Sequence, residues 1–151
     1  MGEHHQLKCR ECGKLWGNVA QSFCEECLSP LEVTYDMDTV RGTFTRKNIE
    51  AGPANLWRYR GFLPLQEGFS SSLPTGLTPL VEARHLSKLL GAKNLYIKND
   101  AVCFPTLSFK DRVVAVALAA ARRFGFEVVS CSSTGNLANA VAAQAAREGF
   151  D

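Results

Sequence analysis

From Ser108 to Gly149 the chain reads SFKDRVVAVALAAARRFG, then FEVVSCSSTG, then NLANAVAAQAAREG. The first block predicts a long helix over Ser108–Phe124. Val, Ala and Leu dominate it, its apolar positions almost encircle the cylinder, and Gly125 stops it. A helix without a broad polar face must be covered, and a sheet can cover it. Glu127-Val128-Val129-Ser130-Cys131 predicts a strand, and Asn136 to Arg147 predicts an alanine-rich helix closed by Gly149. Upstream, Leu95-Tyr96-Ile97 predicts a short strand, preceded by a helix over Glu82–Leu90 that Gly91 ends. From Thr75 onward this alternation predicts an α/β fold, a parallel sheet with covering helices. Two strands cannot bury both faces of such a sheet, and the chain stops at Asp151 where a third strand is expected. The expectation is therefore a truncated domain over residues 75–151, part of a longer chain.

The residues before Thr75 have a different character. Residues 1–35 carry Cys9-x2-Cys12 and Cys24-x2-Cys27 and little helix periodicity, which predicts small strands with turns at the cysteines. Residues 36–74 are rich in Gly, Pro, Asn, Ser and Arg apart from an aromatic cluster at Trp57, Tyr59 and Phe62, and predict a packed, wrapping connection.

Composition narrows the classes. The formal charge of +2 comes from 17 basic and 15 acidic residues mixed along the chain, with no run that would make a polycationic surface, so nucleic acid is not suggested. The longest apolar run, Val113 to Ala121, is closed by Arg122 and Arg123, short of the roughly 18 residues of a membrane span. The start, with Glu3, His4 and His5, lacks the apolar region of a secretory signal. A cytoplasmic location is expected.

Eleven residues separate the two cysteine pairs, and each pair can set two sulfurs on one side of a tight turn, as a tetrahedral metal requires. Disulfides or four free thiols are the alternatives, and the reducing compartment argues against the first. Zinc is favoured over iron because no other redox feature accompanies the cysteines. A closed four-thiolate shell leaves no open coordination position, so its role would be structural.

Two further signals carry chemistry. Pro105-Thr106-Leu107-Ser108-Phe109-Lys110-Asp111-Arg112 leads a loop into the first turn of the buried helix. Most lysines are solvated surface residues. Lys110, between Phe109 and an apolar helix, has the partly desolvated, helix-N-terminal setting that makes a neutral amine accessible. Ser132-Ser133-Thr134-Gly135-Asn136 follows a strand and opens a helix, where an open parallel sheet binds its ligand and where unpaired N–H groups form an anion site. Taken alone it is also an ordinary turn with an N-cap residue.

With those residues in hand, the chain resembles the threonine-synthase type within the β-family (fold type II) of pyridoxal-phosphate enzymes. Four landmarks agree in order and spacing: Leu56-Trp57-Arg58-Tyr59, Gly76-Leu77-Thr78-Pro79-Leu80, Ser108 to Arg112, and Ser133-Thr134-Gly135-Asn136-Leu137-Ala138-Asn139. The resemblance implies pyridoxal 5'-phosphate as cofactor beside the structural Zn2+. It implies that Lys110 carries the cofactor covalently, that Phe109 lies beside its ring and that Asn136 bonds its 3-hydroxyl. Ser133, Thr134 and the amides around Gly135 would hold the substrate carboxylate. The small-molecule substrate implied is O-phosphohomoserine, converted with water to threonine and phosphate, and the family leaves room for a homo-oligomer. Many relatives carry Asn at Leu77, Asp-Glu at Asn99-Asp100, and Asn-Pro-Thr-Gly where this chain has Phe104-Pro105-Thr106-Leu107. The glycine-rich loop for the cofactor phosphate is expected beyond Asp151, so the resemblance implies that this chain is the N-terminal part of a longer enzyme and inactive by itself. Competing readings are a threonine dehydratase or cysteate synthase of the same family, or a metal-ribbon module that docks a protein and catalyses nothing. Neither a G-x-G-x-x-G nor a P-loop lysine pattern is present.

Overall fold

A computed structural model describes residues 4–65 and 68–151; residues 1–3 of the cysteine segment and 66–67 of the connection lie outside it. The front segment forms three short strands, β1 (His5–Cys9), β2 (Leu15–Gly17) and β3 (Leu31–Tyr35), in one antiparallel sheet of order β2-β1-β3. β1 pairs along its whole length with β3, from His5 opposite Tyr35 to Cys9 opposite Leu31. Little apolar surface is buried here: Leu15, Phe23, Leu28 and Val33 are all exposed, and the buried side chains are those of His5, Cys9 and Cys24.

The wrapping connection has more regular structure than its composition suggests. Helix α1 (Met37–Thr43) starts where the Asp36 carboxylate accepts from the amides of Asp38 and Thr39, and α2 (Arg46–Ala51) where the Thr45 hydroxyl accepts from Asn48. A 3₁₀ segment, Leu56–Phe62, follows with a kink at Tyr59. It plants Trp57 in an apolar cluster with Leu65, Ala115 and Ala119.

After Thr75 come β4 (Leu80–Glu82), α3 (Arg84–Leu89), β5 (Tyr96–Lys98), α4 (Lys110–Arg123) and α5 (Asn136–Glu148). The expected helices are present within a few residues. The one expected from Glu82 starts at Arg84 because Leu80–Glu82 pairs with β5 instead. That pairing is antiparallel, Leu80 opposite Lys98 and Glu82 opposite Tyr96. Both sheets among the described residues are thus antiparallel, and the expected parallel sheet has no ladder among them. The strand expected at 127–131 forms no ladder either. A strand is defined by its hydrogen-bonded partner, and among the described residues the backbone of this stretch pairs only with Asp151, which donates to Glu127 and accepts from Val129 in the pattern of a parallel pair.

Helix α4 explains its own all-round apolar pattern, since two of its faces are covered. Ala115 and Ala119 lie against Trp57 and Leu65, while Val114 and Leu118 pack on Ala140 and Ala145 of α5. The alanines keep α4 and α5 close, and burying each larger aliphatic side chain contributes about 1.5–3 kcal/mol. Helix α5 ends at Gly149, whose φ of 74° is the left-handed cap that glycine favours. No helix among the described residues is long and apolar enough to cross a membrane.

Candidate functional site

The four cysteines converge. Two turns of the same construction present them: the amide of Gly13 donates to the Cys9 carbonyl and that of Leu28 to the Cys24 carbonyl, and the Cys9 and Cys24 amides donate onward to Lys14 and Ser29. All four sulfurs lie within 4.8 Å of one another, with Cys9 and Cys27 at 3.4 Å and Cys12 and Cys24 at 3.7 Å. Four sulfurs about 2.3 Å from a central ion stand about 3.8 Å apart, so the cluster has the dimensions of a tetrahedral thiolate site. No disulfide joins them. Burial opposes ionisation of Cys9 and Cys24, but backbone amides aimed at each sulfur outweigh it and lower both thiols. At Cys12 the Lys14 amide favours the thiolate, yet the neighbouring thiols and burial push it up to about 12. A divalent metal ion would ease that conflict by bonding all four sulfurs and offsetting half of the charge of four thiolates.

This knuckle is docked on the rest of the chain. Asn18 bonds His5 at 2.7 Å and accepts from Arg123 at the end of α4 at 2.5 Å. The Tyr35 hydroxyl donates to the Phe62 carbonyl at 3.0 Å.

The second cluster lies at the start of α4. Lys110 is its first residue, half-buried, with Nζ 4.6 Å from the centre of the exposed Phe109 ring. Helices α4 and α5 run in the same sense, since Arg122 at the end of α4 meets Glu148 at the end of α5 while Val114 and Leu118 pack beside Ala140 and Ala145. Both helix N-termini, with Lys110 on one and Asn136 on the other, therefore face one end of the molecule. Ser133 is half-buried there and accepts from the Gly135 amide at 3.3 Å; Thr134, Gly135 and Asn136 are exposed. Gly135 caps α5 without a side-chain bond, so no side chain competes for the first-turn N–H groups.

A polar network that the sequence motifs only framed holds this end in place. Arg112 grips Asp100 through both nitrogens, at 2.7 and 2.5 Å, and also donates to the Thr78 hydroxyl at 3.1 Å. Thr78 in turn donates to Asp100 at 2.7 Å, and Lys98 donates to the Thr78 carbonyl. The Arg112 guanidinium and the Thr78 hydroxyl hold the Asp100 carboxyl well below its ordinary range. Thus three distant stretches, around 78, 100 and 112, form one unit. Farther along, buried Gln144 donates to Thr75 at 3.1 Å and accepts from Ser71 at 2.5 Å, fastening the 71–75 segment to α5. Local patterning could not pair these residues, whose partners lie 12 to 73 positions away.

Leu77 and Leu107 both take left-handed backbone, with φ of 48° and 61°. They are two of the positions at which the resemblance led to an expectation of Asn and Gly. At Gly76, φ is 92° and an added Cβ would lie 3.1 Å from the Leu56 amide nitrogen, so glycine is required where the second landmark touches the first.

The model of the family described as pyridoxal-phosphate dependent enzyme matches residues 71–151, the stretch that holds Lys110 and Asn136. The chain belongs to that family. It is 38% identical to a threonine synthase of Methanocaldococcus jannaschii over 94% of this chain and 35% of the relative. It is 32% identical to one of Methanosarcina acetivorans over 97% and 35%, and 43% identical to one of a Bacillus species over 63% and 27%. The chain thus spans about a third of the length of these relatives. The first two matches run through the cysteine segment, because 94% coverage leaves too few residues outside to omit it.

Proposed function

We propose that the protein acts as a threonine synthase, converting O-phosphohomoserine and water to threonine and phosphate, with the activity residing in the whole enzyme and located in the cytoplasm. The observation that carries this reading is the half-buried Lys110 beside Phe109 on the first turn of α4, at the end of the molecule where α5 offers unblocked N–H groups. It is supported by the family match over those residues and by the threonine synthases that resemble the chain.

In this reading residues 75–151 contribute part of a fold-type-II catalytic domain, residues 36–74 wrap it, and residues 1–35 form a zinc-ribbon-like knuckle. Lys110 would hold pyridoxal phosphate, Phe109 would pack beside it, and Asn136 would bond its 3-hydroxyl. Ser133, Thr134 and the amides around Gly135 would bind the substrate carboxylate, since an anion is stabilised at a helix N-terminus. When bound, the cofactor supplies an electron-withdrawing ring that delocalises the negative charge developed next to the amino group. Lys110, released once substrate takes its place, would carry protons at Cα and Cβ as phosphate leaves from Cγ and water adds at Cβ. Cys9, Cys12, Cys24 and Cys27 would hold one Zn2+ in a closed, structural shell. The intact protein is expected to release phosphate and threonine in equal amounts from O-phosphohomoserine, with Lys110→Ala lowering the rate by at least about a thousandfold. Release of ammonia in place of phosphate, or phosphate release that requires sulfite, would place it with another reaction of the family.

A further inference from the structure

We infer that Asp111 is a positioning residue for Lys110, acting through the loop that leads into α4; this rests on the reading that Lys110 carries the cofactor. The Asp111 side chain is fully buried, and all of its hydrogen bonds described go to the preceding loop. One carboxylate oxygen accepts from the Thr106 amide at 3.0 Å and from the Ser108 amide at 3.4 Å. The other accepts from the Thr106 hydroxyl at 2.7 Å. The loop reciprocates: the Ser108 carbonyl accepts from the Asp111 amide at 3.1 Å, and the Ser108 hydroxyl, on a residue 5% exposed, accepts from the Lys110 amide at 3.2 Å. Lys110 is therefore bracketed by two buried residues that are bonded to each other, while its own side chain projects toward the Phe109 ring.

A buried carboxylate is a costly way to start a helix. Desolvating it is unfavourable unless donors replace water, and exposed Asp, Ser or Thr caps do the same capping task without that cost. Here the carboxylate does not cap α4 from outside. It reaches backward from the helix's second residue and ties down the three-residue stretch of backbone from Thr106 to Ser108. The same loop contains Leu107 at a left-handed φ of 61°, a conformation unfavourable for a leucine that persists only where surroundings impose it. The bonds of Asp111 on both sides of Leu107 hold it there, together with the bond from the Leu107 amide to the Cys103 carbonyl at 2.7 Å. A rigid frame on both sides of an amine that must reach a cofactor aldehyde is the arrangement that misplacement by about 1 Å would spoil by about a hundredfold.

The test uses the intact protein mixed with pyridoxal phosphate. The visible band of the lysine link is followed with time and pH, borohydride traps the link, and peptide mapping locates it. Asp111→Asn removes acceptor capacity, Thr106→Val removes only the hydroxyl donor, and Thr106→Ser restores it. Leu118→Ala serves as a control that lowers melting temperature without touching the loop. The inference expects Thr106→Val and Asp111→Asn to form the Lys110 link about 10- to 100-fold more slowly, to shift the pH midpoint of its band, and Thr106→Ser to recover both. Should Asp111→Asn fail to fold, the Thr106 pair decides alone. Wild-type rates and pH midpoint in Thr106→Val, or losses matched by Leu118→Ala at equal melting temperature, overturn the inference while leaving Lys110 as the carrier. Trapping at another lysine in the wild-type protein overturns both.

Discussion

The knuckle and the α4–α5 pair solve the problem of order in opposite ways. Around Cys9–Cys27 the exposed Leu15, Phe23, Leu28 and Val33 leave almost no apolar core, and what converges is four sulfurs. Around α4 it is Trp57, Leu65, Val114, Leu118 and four alanines that converge, and polar residues serve to register the loops on that core. In the proposed reading one region is completed by a metal, the other by its own side chains. A short segment without a core needs a staple, and four converging cysteines offer the ligand set for a metal one.

The comparison breaks most sharply if metal is removed. Chelation, or Cys24→Ser, is expected to unfold the knuckle outright while α4 and α5 keep their amide-exchange protection, because the apparent binding energy of such a site is about 10 kcal/mol or more and is spent locally. Loss of protection throughout, or none anywhere, would show that the regions do not differ as described. Leu118→Ala should do the reverse: it costs about 2–5 kcal/mol in denaturant unfolding of the helix pair and leaves the metal content of the knuckle unchanged.

Smaller effects sharpen the contrast. Asp100→Asn should cost about 1 kcal/mol at neutral pH, after discounting for the third of the side chain that solvent screens. Because the Asp100 pKa is depressed in the folded protein, its contribution is present above the ordinary carboxylate value near pH 4 and fades as pH falls toward the lowered value. The acid limb of the stability curve should therefore be shallower in Asp100→Asn, as melting across pH 2–7 would record. An unchanged limb would separate Asp100 from acid sensitivity. The least change is expected at the left-handed leucines. Leu28, φ 58° and highly exposed, occupies in the second cysteine turn the place that Gly13, φ 74°, has in the first. Leu28→Gly should stabilise the metal-loaded knuckle by about 0.5–1 kcal/mol, the relief of strain being partly offset by the freer unfolded chain.

Much of this was legible in the chain itself. The cysteine pairs, Lys110 and the helices that became α4 and α5 stand out because each is a local signal: close spacing, a distinctive loop, an apolar period long enough to recognise. Helices α1 and α2 escaped because six or seven residues do not sustain a period, although their caps, Asp36 and Thr45, were there to be read. The β4–β5 pairing escaped because Leu80–Glu82 and Tyr96–Lys98 are exposed triplets, without the alternation that marks a half-buried strand. The Thr78–Asp100–Arg112 unit and the Ser71–Gln144–Thr75 bridge could not be foreseen, since a hydrogen bond between distant stretches leaves no trace in the order of residues. Asp111 is the intermediate case: an acidic residue in the first turn of a helix is an ordinary dipole partner, and only its burial reveals that it faces backward onto the loop.

The claim at the centre of the account is that Lys110 is the amine that holds the cofactor. The most direct measurement is borohydride reduction of the intact, pyridoxal-phosphate-loaded protein followed by mass mapping of its peptides. The account predicts one phosphopyridoxyl group, on Lys110, and its loss in Lys110→Ala. A stoichiometric label on Lys98, Lys93 or Lys88 with Lys110 unmodified would contradict it.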